Sequence, residues 1–143
     1  MTNFKLLLGT IIFLLTGMAF SASAQDAMMK DDHMMKSDDK RPVVAIVRAD
    51  WCPYCTELEP KMAKLMAEYS ETLNFVILDI TNAETTNNAR ATAKAAGLAD
   101  FFEKNKTKAS TVAIFKDKKQ VFTTVHNTKN EDFIKAFESA IKK

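Results

Sequence analysis

The stretch "ADWCPYC", residues Ala49 to Cys55, holds the only two cysteines of a 143-residue chain. It follows the apolar run Val43-Val44-Ala45-Ile46-Val47. A short, continuous, β-branched run of this kind reads as a strand covered on both faces. Beyond the cysteines, Leu58, Met62, Leu65, Met66 and Tyr69 recur at the spacing of one helix face. The pair therefore stands where a buried strand ends and a helix begins, and the free N–H groups of that helix end favour an anionic sulfur at Cys52. Pro53 suits the first helical turn, where its missing N–H costs nothing. Pro60 falls inside the helical pattern and predicts a kink over residues 57–60.

Three chemistries compete for such a pair. As a structural staple it closes so short a loop that it constrains the unfolded chain little. A zinc site needs four ligands, and the two histidines, His33 and His126, would have to complete it from a charged, Met-rich leader and a strand-end turn. A redox pair needs only the strand-to-helix context already described.

Outward from the motif the patterning stays that of a folded domain. Residues 73–80, "LNFVILDI", read as a second buried strand. Residues 85–97 read as a polar, alanine-rich helix closed by Gly97, and residues 98–104 as a further helical piece. Residues 110–125, "STVAIFKDKKQVFTTV", read as two strands joined by a tight turn at Asp117-Lys118-Lys119. The chain ends on a helix whose apolar face is Phe133, Ile134, Phe137, Ala140 and Ile141, with capping-box spacing from Thr128 to Glu131. The order βαβαββα implies an α/β fold: a four-stranded mixed sheet with helices on both faces.

The N-terminal part differs in kind. Lys5, an apolar run over residues 6–20 and the small-x-small triplet Ala22-Ser23-Ala24 read as a signal peptide over residues 1–24. The expected location is then periplasmic or secreted, with no stable membrane anchor after cleavage. Residues 25–41 form a Met-rich leader that cannot bury a core and is expected to be disordered. Met28, Met29, Met34 and Met35 flank His33 there, a soft donor set suited to Cu(I). Residues 42–143 form the folded domain. Twenty Lys and Arg against eighteen Asp and Glu leave a net charge of +2, too little to point to nucleic acid.

The domain resembles the thioredoxin superfamily over nearly all of residues 42–143. The resemblance rests on a strand running into Trp51-Cys52-x-x-Cys55, on Pro60 five residues after the second cysteine, and on "TVAIFKDKK" as the hairpin. Pro53-Tyr54 between the cysteines is the glutaredoxin-type dipeptide. The resemblance implies a thiol-disulfide oxidoreductase with no cofactor, acting on protein thiols or disulfides in the exported compartment together with a redox partner. Cys52 is the expected nucleophile. Cys55, one turn further in, is expected to be the more buried, resolving thiol. Trp51, Pro53, Tyr54, Ser110 and Thr111 are the expected substrate rim, and Asp50 is read as a solvated loop carboxylate.

Three departures from the family stand out. Ser110 occupies the place of the cis-proline, so the bond from Ala109 is expected to be trans. Ile46 and Ile77 stand where the family carries a buried acid and its lysine. The stretch 81–109 is longer than the family minimum, with residues 87–96 as the insert. A second function of another class fits the same residues, namely copper handling, with Cys52 and Cys55 binding Cu(I) collected by the leader.

Overall fold

The computed structural model describes residues 40–142. The expected signal peptide and nearly all of the leader, including Met28, Met29, His33, Met34 and Met35, lie outside the described residues. The elements follow in the order β1 (Val43–Arg48), α1 (Pro53–Tyr69), β2 (Asn74–Asp79), α2 (Ala83–Ala95), α3 (Ala99–Asn105), β3 (Thr111–Lys116), β4 (Lys119–Val125) and α4 (Asn130–Ile141).

The strands form one mixed sheet in the order β2-β1-β3-β4. β1 and β2 run parallel with Ile46 opposite Ile77. β1 and β3 run antiparallel with Ile46 opposite Val112, and β3 and β4 form the hairpin. The pleat sorts the core into two layers, because successive side chains point to opposite faces. Ala45, Val47, Val76, Leu78 and Ala113 pack with Ala89 and Ala93 of α2 and with Phe101 and Phe102 of α3. Val44, Ile46, Val112 and Ile114 pack instead with Leu58, Met62 and Leu65 of α1 and with Phe133 and Phe137 of α4. Helices thus cover both faces, as the pattern predicted. The long stretch between β2 and β3 is filled by α2 and α3.

Several boundaries are set by local bonds that the pattern did not reveal. α2 starts earlier than the expected residue 85, because Asn82 caps it: its Oδ1 accepts the Thr85 N–H at 3.0 Å, and the Thr85 hydroxyl accepts the Asn82 N–H at 3.0 Å. The capping box expected from Thr128 does not form. α4 starts at Asn130 without a side-chain cap, and the Asn127 side-chain Oδ1 accepts the Lys129 N–H at 2.9 Å. The hairpin turn consists of Asp117 and Lys118, both with positive φ as a two-residue primed turn requires, and Lys119 already belongs to β4. α1 runs through Pro60 without interruption to Tyr69, although proline there has no N–H to give the Thr56 carbonyl. Among the described residues no helix is long and apolar enough to cross a membrane.

Candidate active site

Cys52 is the N-cap of α1, in extended conformation, and its sulfur accepts the Cys55 N–H at 3.4 Å. That contact comes from a free N–H group of the first turn; Pro53 occupies the first position, where a donor would be wasted. The Cys52 N–H donates to the Ala49 carbonyl at 3.2 Å, which fixes the turn from β1 into the helix. Both cysteines are free thiols.

Burial does not separate their roles. Cys52 is 4% and Cys55 5% exposed, so the expectation that Cys55 is the more buried of the two does not hold. The two differ in their surroundings instead. Cys52 has the helix end, whereas burial first, and then the hydrogen bond with Cys52, push the Cys55 thiol up to about 11; the backbone of Ala49 and of Ser110 pulls the other way.

The approach to the cysteines is tied to the end of β2. The Asp50 N–H donates to the Thr81 hydroxyl at 3.0 Å, and the Trp51 indole N–H to the Thr81 carbonyl at 3.1 Å. Thr81 is held in turn, its N–H donating to Asp79 at 2.7 Å. Arg48 bridges Asp79 and Asp50, each at 2.6 Å. Burial pushes the Asp79 carboxyl up, but hydrogen bonds from Thr81, together with Thr85 and the Arg48 charge, outweigh it and hold this carboxyl below its usual range. Asp50 is exposed and spends its charge on Arg48. Sequence reading missed Arg48, Asp79 and Thr81; the available signal was the charge that ends each of two parallel apolar strands.

Trp51 and Tyr54 are exposed, at 60% and 44%. The Tyr54 ring stacks on His126, centroids 4.4 Å apart at 15°. His126 has φ +58, and its N–H donates to the Ser110 carbonyl at 3.1 Å. It therefore links the helix that carries the cysteines to the start of β3, a role its reading as a turn residue did not include. Ser110 and Thr111 lie beneath this surface, each 1% exposed. No cis peptide bond occurs among the described residues, so Ser110 follows a trans bond. Ile46 is buried in the α1/α4 layer, while its neighbour Ile77 on the edge strand is 40% exposed. Among the described residues no three His, Cys, Asp or Glu side chains converge as a metal site.

The raised Cys55 thiol has a consequence for stability. An unfolded cysteine titrates at about 8.5. As pH passes that value, the unfolded chain releases a proton that the folded protein keeps until about 11. This contribution is complete below the unfolded value and is lost as pH climbs through the folded one. Denaturant midpoints of the reduced protein are thus expected to fall more steeply across this window than those of Cys55→Ser. Parallel curves would show that Cys55 titrates alike in both states.

Residues 26–127, more than half of the chain, match the thioredoxin family. Over 44 residues the chain is 39% identical to the thioredoxin-like protein HCF164, chloroplastic, of Arabidopsis thaliana, covering 31% of this chain and 17% of that one. Over 66 residues it is 32% identical to the thiol:disulfide interchange protein TxlA homolog of Synechocystis sp., covering 46% and 35%. The matches thus span well under half the length of these curated relatives. Fasciola hepatica thioredoxin shares the fold, with a TM-score of 0.52 and 20% identity over 71% of this chain and 83% of that one. A family match that runs through Cys52-Pro53-Tyr54-Cys55, on a mixed sheet shared with a solved thioredoxin, makes this chain a member of the thioredoxin family.

Proposed function

We propose that this protein is an exported protein-disulfide oxidoreductase in which Cys52 is the nucleophile and Cys55 the resolving thiol. The observation that carries the reading is the Cys52 sulfur at the N-cap of α1, accepting the Cys55 N–H at 3.4 Å. Such a position favours the thiolate, the form that attacks a disulfide. Exposed Trp51 and Tyr54 flank it and give an incoming polypeptide an apolar surface to meet first.

The Cys52 thiolate attacks one sulfur of a substrate disulfide, forming a mixed disulfide and releasing the other substrate sulfur as a thiolate. Cys55, having lost its proton, attacks the Cys52 sulfur. The Cys52–Cys55 bond forms, and the second substrate sulfur leaves with the electron pair. Run backward, the same steps oxidise a substrate dithiol. The name of the Synechocystis relative, a thiol:disulfide interchange protein, supports the reaction class. Export is supported by residues 1–24 of the sequence and by the chloroplastic designation of the Arabidopsis relative.

The experiment is to express Cys55→Ala in the native host and separate its adducts without reductant. Cys52-linked polypeptides, absent from the double cysteine variant, are the expected result. Their absence would remove the oxidoreductase reading, and one copper ion recovered per reduced native protein would favour metal handling by the same thiols.

A further inference from the structure

Ser110 combines two unfavourable features. Its φ of +63 lies in the left-handed region, which side chains other than glycine, asparagine and aspartate rarely adopt. Its hydroxyl is the one buried side-chain nitrogen or oxygen among the described residues that has no hydrogen-bond partner. Buried polar groups are otherwise paired, and a lone exception beside a reactive group calls for a reason. The backbone of the same residue is fully employed: its N–H donates to the Val47 carbonyl at 2.8 Å, and its carbonyl accepts the His126 N–H at 3.1 Å. Ala109, the residue before it, packs in the same buried cluster as Cys55. The residue is thus pinned beside the resolving thiol with a hydroxyl to spare.

We propose that the Ser110 hydroxyl is a positioning donor to the Cys55 sulfur, turning onto it as the thiol loses its proton during resolution. A neutral thiol is a weak acceptor and does not hold the hydroxyl. Once ionised, the Cys55 sulfur is a charge in an apolar layer that includes Ala49 and Ala109. A donor that pairs only then lowers the energy of the reacting state relative to the resting one. Position 46, an isoleucine, offers no carboxylate to take the proton, which leaves to solvent. The Cys55 thiolate then attacks the Cys52 sulfur, the Cys52–Cys55 bond forms, and the substrate sulfur departs with the electron pair. The inference rests on the roles proposed above for the two cysteines.

The titratable groups around Cys55 are Cys52 on the same helix end, Tyr54 beside it, His126 from the end of β4, and Asp50, held by Arg48. All remain in the variants that isolate the hydroxyl. The test loads Cys52 with thionitrobenzoate as a mixed disulfide and follows the chromophore released when Cys55 attacks, from pH 6 upward. Ser110→Gly removes the hydroxyl and suits φ +63, so it stays folded; Ser110→Ala removes the hydroxyl and keeps the strain. Both are expected to slow release by about tenfold or more near neutral pH, the usual worth of a hydrogen bond to a charged group, and to move the pH profile upward. Ser110→Gly releasing at the wild-type rate with the wild-type profile would overturn the proposal. A wild-type adduct that never releases would instead overturn the parent assignment of Cys55 as resolving thiol, and this inference with it.

Discussion

Cys52→Ser is expected to cut disulfide exchange by on the order of a thousandfold or more while leaving the fold in place. The substitution replaces one atom, sulfur by oxygen, at the N-cap of α1. Serine is among the preferred N-cap residues, so it still accepts the Cys55 N–H and holds the helix start. What disappears is the nucleophile, because a hydroxyl stays protonated at neutral pH and the helix end cannot make it an anion. Loss of rate without loss of thermal midpoint therefore separates chemistry from structure. Reduction of a chromogenic disulfide with excess dithiol gives the rate, and near-ultraviolet circular dichroism gives the fold. A Cys52→Ser protein keeping more than a tenth of the activity would mean that the chemistry runs through another group.

Phe137→Ala is expected to lower stability by about 3–5 kcal/mol, the range for removing a buried aromatic ring. Phe137 is fully buried. Its ring meets Tyr69 of α1 edge-on with centroids 5.4 Å apart, Phe75 of β2 edge-on at 5.7 Å, and Phe133 one turn earlier at 6.5 Å. One side chain thus joins α4 to α1 and to the sheet, and neighbours held by three elements cannot collapse into the space it leaves. A domain of this size has about 5–15 kcal/mol in all, so the variant is expected to sit near the edge of folding. Val121→Ala, at a position 54% exposed on β4, is the control and should stay within about 0.5 kcal/mol. Urea midpoints for the two variants decide the matter. A Phe137→Ala shift as small as that of Val121→Ala would show that α4 is not packed as described.

What the chain discloses before folding is what depends on neighbours in sequence. The apolar runs at 43–47 and 73–80 locate β1 and β2, and the apolar face from Phe133 to Ile141 locates α4, because burial imposes periods of 2 or 3.6 on one element at a time. Caps were misjudged where the pattern and the bonds part ways. Thr128 and Glu131 have capping-box spacing, yet Asn127 supplies the local bond. The box that does form uses threonine at its third position, Thr85, outside the usual Glu or Gln signature. The site shows the same division. Cys52, Cys55, Trp51 and Tyr54 are legible because they are contiguous. Arg48 and Asp79 are 31 positions apart and meet only through the register of parallel strands. His126 reaches Tyr54 only after β4 is paired, and the left-handed backbone and idle hydroxyl of Ser110 leave no trace in composition.

The redox poise expected of the pair rests on the same helix end. The Cys55 N–H meets the Cys52 sulfur and position 46 holds a buried isoleucine, and contacts of this kind from a helix N-terminus generally favour the reduced form of a cysteine pair. Equilibrating the purified protein in graded mixtures of reduced and oxidised glutathione, then counting free thiols by mass after acid quench, measures the couple directly. Cys52 and Cys55 are expected to convert together in a single two-electron transition at roughly −150 to −230 mV, above the −270 mV of thioredoxin. Two thiols that oxidise independently, or a shared transition at or below −270 mV, would contradict the reading of this pair as a redox centre tuned by the N-cap of α1.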